Sequence, residues 1–189
     1  MNSSIDNRPR LLVFAGPNGS GKSLVSRRIA KQGLYINADD IKRLDDNLSD
    51  LDAAVEAESL REKCLKARED FTFETVLSTN RNIDLIARAK KAGYFIDCYF
   101  VLTVDPAINI GRVKTRVQTG GHDVPLDKIQ SRYYKSLKNI PALIALCDRI
   151  RIIDNTNEPF MIFIKDSNGR EIISKNEYWS RKKILDLTR

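Results

Sequence analysis

Residues 16–23 read Gly16-Pro17-Asn18-Gly19-Ser20-Gly21-Lys22-Ser23, a full match to GxxxxGK[ST]. The chemistry that needs this spacing is the capture of a polyphosphate. Glycines let successive backbone N–H groups turn toward one anion, a helix N-terminus adds positive potential, the lysine contacts the β- and γ-phosphates, and the serine hydroxyl ligates Mg²⁺. The expected nucleotide-binding set is therefore Gly16, Pro17, Asn18, Gly19, Ser20, Gly21, Lys22, Ser23 and Leu24, with Ser23 on the metal.

Phosphoryl transfer to a hydroxyl also benefits from a carboxylate that takes or orients the proton. In open α/β sheets such a group belongs at the carboxyl end of a strand beside the phosphate loop. Asp39 and Asp40 follow the short run Tyr35-Ile36-Asn37, and Glu74 lies inside Phe71-Thr72-Phe73-Glu74-Thr75-Val76-Leu77. Either aspartate could instead cap a helix. Glu74 has apolar neighbours, and because an unpaired buried carboxylate is expensive, it should point into a cleft or meet a cation. Arg112, Arg116 and Arg132 compete to neutralise the transferred phosphoryl group, since a planar guanidinium reaches two oxygens at once.

These residues require a scaffold of alternating strands and helices. Leu11 to Ala15 is a continuous apolar run, as in a buried parallel strand, and it leads into the phosphate loop. A helix is expected from Lys22 to about Lys31, then a strand at Tyr35 to Asn37. A surface helix follows at Asp52 to Glu69, a strand at Phe71 to Leu77, a helix at Ile83 to Ala92 and a strand at Tyr94 to Val104. Ile108 to Val117 should be helical, Gly120 to Pro125 a turn containing His122, and Leu126 to Leu146 one or two helices broken near Pro141. Arg149 to Ile153 supplies a further strand. Phe160 to Ile164 and Glu171 to Ser174, joined by Asn168-Gly169, read as a β-hairpin, and Trp179 should anchor the last helix.

Net charge is +7 over 189 residues, and it is unevenly placed. Residues 39–74 hold 12 acidic and 6 basic side chains, whereas residues 112–151 hold 9 basic and 3 acidic, which fits a basic flap over phosphates. Cys64, Cys98 and Cys147, with one histidine and no CxxC pair, argue against a disulfide scaffold and against structural zinc. The longest apolar runs, such as Ala142 to Cys147, fall far short of the roughly 20 residues of a membrane span, so a cytoplasmic protein with no membrane partner is expected. The segments that mark ABC-type ATPases, GTPases and AAA+ motors are missing, which leaves a small phosphotransferase.

The chain resembles the zeta toxins, small P-loop kinases of toxin–antitoxin systems, from about Leu11 to Asn155. The resemblance rests on the phosphate loop, on Ile36-Asn37-Ala38-Asp39, on Phe73-Glu74-Thr75-Val76-Leu77-Ser78, and on the block Arg112 to Arg132 with Tyr133 and Ser136 to Asn139. It implies phosphoryl transfer from ATP or GTP to a hydroxyl, in the best-known members that of UDP-N-acetylglucosamine. It further implies Asp39 as base, Glu74 with Thr75 on the acceptor, Arg116 and Arg132 as lid arginines beside Lys22, and an antitoxin protein as partner.

The resulting expectation is one α/β domain over residues 1–189, a three-layer P-loop kinase fold with a mostly parallel sheet. It carries an arginine-bearing lid at about 112–140 and a small C-terminal β-hairpin and helix at about 158–189. Two rivals stay open: a polynucleotide kinase, which the basic lid would suit, and a nucleotide-binding toxin–antitoxin component with little turnover. A nucleic-acid partner is the less favoured, because the polar groups after Glu74 have only Arg81 nearby as a cation and suit a small acceptor.

Overall fold

Leu11 to Ala15 is apolar at every position because its strand is central and covered on both faces. In the computed structural model, which describes residues 7–45, 47–120 and 123–189, the strands are β1 (Arg10–Ala15), β2 (Leu34–Ile36), β3 (Phe71–Thr75), β4 (Phe95–Leu102), β5 (Arg149–Asp154), β6 (Phe160–Lys165) and β7 (Glu171–Ile173). The helices are α1 (Lys22–Ser26), α2 (Ala38–Leu44), α3 (Asp50–Ala67), α4 (Asn80–Lys91), α5 (Pro106–Gln118), α6 (Leu126–Lys138), α7 (Ile140–Leu146) and α8 (Arg181–Thr188). One sheet runs in the order β2-β3-β1-β4-β5-β6-β7, parallel through β5 and antiparallel at β6 and β7.

Alternation along the strands divides the apolar residues between two faces. Leu11, Val13, Phe71, Phe73, Ile96, Cys98 and Phe100 pack with Ala57 and Cys64 of α3, Ile86 of α4, Leu143 of α7, Ile184 of α8 and the expected anchor Trp179. On the opposite face Leu12, Phe14, Val101 and Ile153 meet Val25 of α1 and the nearby Ile29. Val113, Val124 and Ile129 of the α5–α6 arm form a small cluster apart from both. That separation lets the arm carry its arginines without sharing the sheet core.

Three local expectations need correction. The first helix stops at Ser26, not near Lys31, because the Lys31 ammonium reaches back to the carbonyl oxygens of Ser26 and Ile29 and closes the helix end. The strand expected to run to Asn37 stops at Ile36, and Asn37 itself, neither aspartate, is the N-cap of α2: its side-chain oxygen accepts from the Asp39 N–H at 3.0 Å. The hairpin is no appendage, since β6 pairs with β5 and extends the main sheet. His122, expected in a turn, lies outside the described residues.

Candidate active site

The phosphate loop bridges the carboxyl end of β1 and α1, and its glycines are required by what surrounds them. Gly19 and Gly21 have φ of +75° and +91°, and a β-carbon would strike the Asn109 carbonyl from the first and the Asn155 side chain from the second. Both asparagines also hold the loop directly. Asn109 Nδ2 of α5 donates to the Asn18 carbonyl at 2.6 Å, and Asn155 Nδ2, just after β5, donates to the Ser20 carbonyl at 2.8 Å. Lys22 folds over the loop and donates to the carbonyls of Gly16 at 2.7 Å and Pro17 at 3.1 Å. Burial pushes its pKa down to about 8, against the opposing pull of Glu74 and Asp39, and the Arg116 charge pushes the same way. Lys22, Glu74, Asp39 and Arg116 therefore share one electrostatic neighbourhood.

Glu74 leaves β3 beside the loop and is held by hydroxyls. Its Oε1 accepts from Ser26 Oγ at 2.6 Å and from the Tyr35 phenol at 2.8 Å, and its Oε2 faces Ser23 Oγ at 3.4 Å. Thr75 lies deeper: it is buried, and its hydroxyl oxygen accepts from Leu77 N–H at 2.9 Å and Asn82 Nδ2 at 2.8 Å. It shapes the turn after β3, where Leu77 adopts a left-handed φ of +57°. Asp39 is exposed on the first turn of α2, whereas Asp40 is engaged by Arg43.

Arg116 sits on the exposed last turn of α5. Arg132, on α6, lines a polar hollow of about 240 Å³ with Asp39, Lys42 and Lys128. The lower part of α6 is fastened to the strand ends, because Tyr133 donates to the Thr103 carbonyl at 2.6 Å, Ser136 to that of Val76 at 2.7 Å, and nearby Asn139 to that of Leu77 at 2.9 Å. These bonds set where Arg132 stands. Arg112 turns instead to the segment after β5, where its Nη2 donates to the Thr156 carbonyl at 2.9 Å.

The loop is chemically suited to a nucleotide. Ser20 Oγ and Asn18 Oδ1 are buried without hydrogen-bond partners, a costly state that a phosphate oxygen would relieve at the serine. Among the described residues no group of three or more His, Cys, Asp or Glu could hold a metal ion. A divalent ion here would draw on Ser23, phosphate oxygens and water, the habit of Mg²⁺. Sequence patterns alone miss Tyr35, Ser26, Asn109 and Asn155, since they act through distant partners. Among the described residues no helix is long and apolar enough to cross a membrane.

Comparison with known proteins agrees with this architecture. A protein from Haemophilus influenzae is 30% identical over 130 residues, spanning 66% of this chain and 92% of that one. The structure from the PezAT chromosomal toxin–antitoxin system of Streptococcus pneumoniae superposes with a TM-score of 0.63 at 15% identity, covering 96% of this chain and 88% of that one. The AvrRxo1-ORF1:ORF2 complex gives a TM-score of 0.71 at 17% identity, and this chain spans 64% of the matched chain's length. The same complex has also been solved with ATP. The zeta toxin family description matches residues 2–166, almost the whole sequence, and the chain belongs to the zeta toxin family of P-loop kinases.

Proposed function

We propose that the protein transfers the γ-phosphate of ATP or GTP to a hydroxyl of a small, nucleotide-like metabolite, with UDP-N-acetylglucosamine the first acceptor to test. The observation that carries this is that Lys22 of the phosphate loop feels the charges of Glu74, Asp39 and Arg116, with Glu74 Oε2 3.4 Å from Ser23 Oγ of the same loop. A plain nucleotide-binding module has no need of a carboxylate opposite the lysine. In this scheme residues 16–24 hold the triphosphate, and Lys22 leaves the loop carbonyls to follow charge as it moves onto the β/γ bridge. Asp39 accepts the hydroxyl proton, Glu74 orients the acceptor from the β3 side with Thr75 shaping the turn behind it, and Arg116 and Arg132 neutralise the migrating phosphoryl group. Mg²⁺, held through Ser23, would draw charge from the phosphate oxygens.

A small acceptor is favoured over nucleic acid because Arg81, the cation nearest the β3 end in sequence, is paired with Glu58 at 3.0 Å and tracks no backbone. An antitoxin is proposed as the protein partner by analogy with the pneumococcal relative's system, and the cytoplasm, where such nucleotides occur, as the place of action. The test is incubation with γ-labelled ATP and a cell metabolite extract, followed by identification of the labelled product. Label should enter a small molecule with the parent protein and not with Lys22→Ala. Equal labelling by both would overturn the proposal, as would no labelling by the parent or efficient labelling of single-stranded RNA or DNA in place of metabolites.

A further inference from the structure

Tyr35 belongs to no motif, yet it stands at the centre of the site's polar wiring. Its phenol oxygen donates to Glu74 Oε1 at 2.8 Å and accepts from Asn37 Nδ2 at 3.2 Å. Asn37 in turn caps α2 by accepting from the Asp39 N–H at 3.0 Å, and the far oxygen of Glu74 faces Ser23 Oγ at 3.4 Å. A continuous polar chain thus runs Ser23, Glu74, Tyr35, Asn37, Asp39, from the phosphate loop to the helix that bears the proposed base. The ring of Tyr35 is itself fixed, with the Lys31 ammonium 5.1 Å from its centroid and 5.0 Å from that of Phe14.

We infer that Tyr35 is a positioning residue of the kinase, whose hydroxyl fixes the Glu74 carboxylate and, through Asn37, registers it against Asp39. The inference rests on the proposed phosphoryl transfer. A glutamate has several rotatable bonds and would wander at a strand end, whereas a tyrosine on a strand, with its ring clamped, presents its hydroxyl at a set point. With Tyr35 and Ser26 both donating to Oε1, the carboxylate plane is set and Oε2 is turned toward Ser23. Three charged groups act on the phenol: Glu74 from β3, Asp40 from α2 and Lys31 from the segment after α1. Burial first, and then the bond to Glu74, push its pKa up, so it stays a neutral donor over the working range.

Tyr35→Phe keeps the ring and removes only the oxygen. Transfer from γ-labelled ATP into the metabolite extract should fall roughly tenfold, since displacement of a positioning group by about 1 Å can cost up to a hundredfold. The Kd of a fluorescent ATP analogue should stay within about twofold, because the phosphate loop is untouched. In a Glu74→Gln background, Tyr35→Phe should cost less than about twofold more, because the partner it positions has already been changed. The inference is overturned by an unchanged rate in Tyr35→Phe, or by a full multiplicative loss in the Glu74→Gln background. Each of those results, with Lys22→Ala inactive, leaves the kinase reaction standing. A Lys22→Ala protein as active as the parent removes the reaction itself.

Discussion

The side-chain amide of Asn155 donates to the Ser20 carbonyl at 2.8 Å, a buried bond between groups 135 residues apart. It ties the end of β5 to the phosphate loop on the side where a β-carbon at Gly21 would collide. Asn109 does the same for Asn18 from α5, and its own side-chain oxygen is held by the Thr103 hydroxyl. The loop is shaped before any phosphate arrives, so the ordering entropy is met in folding and not in binding.

Asn155→Ala should weaken both the fold and the grip on nucleotide. A buried carbonyl left without its donor costs about 1–3 kcal/mol, and part of that cost falls on the loop that must meet the phosphates. A lower urea midpoint together with a raised Kd for a fluorescent ATP analogue is the expected pair of results. A Kd that stays at the parent value would show that the loop holds its shape without this prop.

The phosphate loop, most of the strands and the hairpin were legible in the sequence because each has a local signal: glycine spacing, apolar runs, a turn dipeptide. Glu74 was legible as a carboxylate near a strand end, whereas Asp39, read in the same way, lies on the first turn of α2. Local signals could not reveal that Asn37, two residues before Asp39, caps α2, or that Lys31 ends α1 by reaching back to Ser26. Nor could they show that Thr75 is occupied by Leu77 and Asn82. These depend on contacts between segments, and propensity carries no record of such contacts until the sheet order is known.

Nucleotide affinity should depend on pH through Lys22. Its pKa is down at about 8 in the free protein, chiefly through burial, and a bound triphosphate favours the ammonium form and raises it. Binding therefore takes up a proton above about pH 8, and affinity should fall as pH rises through that value, by up to about tenfold per pH unit. Titrations of a fluorescent ATP analogue from pH 7 to about 9.5 would show the slope. Lys22→Met should bind weakly with a flat profile, and a slope that persists in that variant would place the titrating group elsewhere.

Asp39→Asn should leave ATP binding intact while transfer falls by at least about a hundredfold, in the range that loss of a general base gives. Asp40→Asn should matter far less, because Asp40 is engaged by Arg43 while Asp39 lies in the Lys22 neighbourhood and lines the hollow below Arg132. Single-turnover rates for the two variants separate them, and a larger loss in Asp40→Asn would move the base by one residue.

Arg116 and Arg132 are carried by different helices, α5 and α6. Arg116 is close enough to Lys22 to lower its pKa, and Arg132 shares the 240 Å³ hollow with Asp39, Lys42 and Lys128; in the proposed reaction the first would meet the nucleotide and the second the acceptor. An arginine that meets charge only as it develops acts in the transition state, so each alanine variant should lose more in kcat than in ATP affinity. The two should then diverge: Arg132→Ala should also raise the KM of the acceptor, because its guanidinium lines the space the acceptor would enter, and Arg116→Ala should leave that KM near the parent value. Losing one arginine from such a site costs on the order of a hundredfold or more when it meets the transferring group directly. Losses that fall equally on ATP affinity and turnover in both variants would reduce the pair to phosphate anchors and leave Lys22 as the cation that follows the reaction.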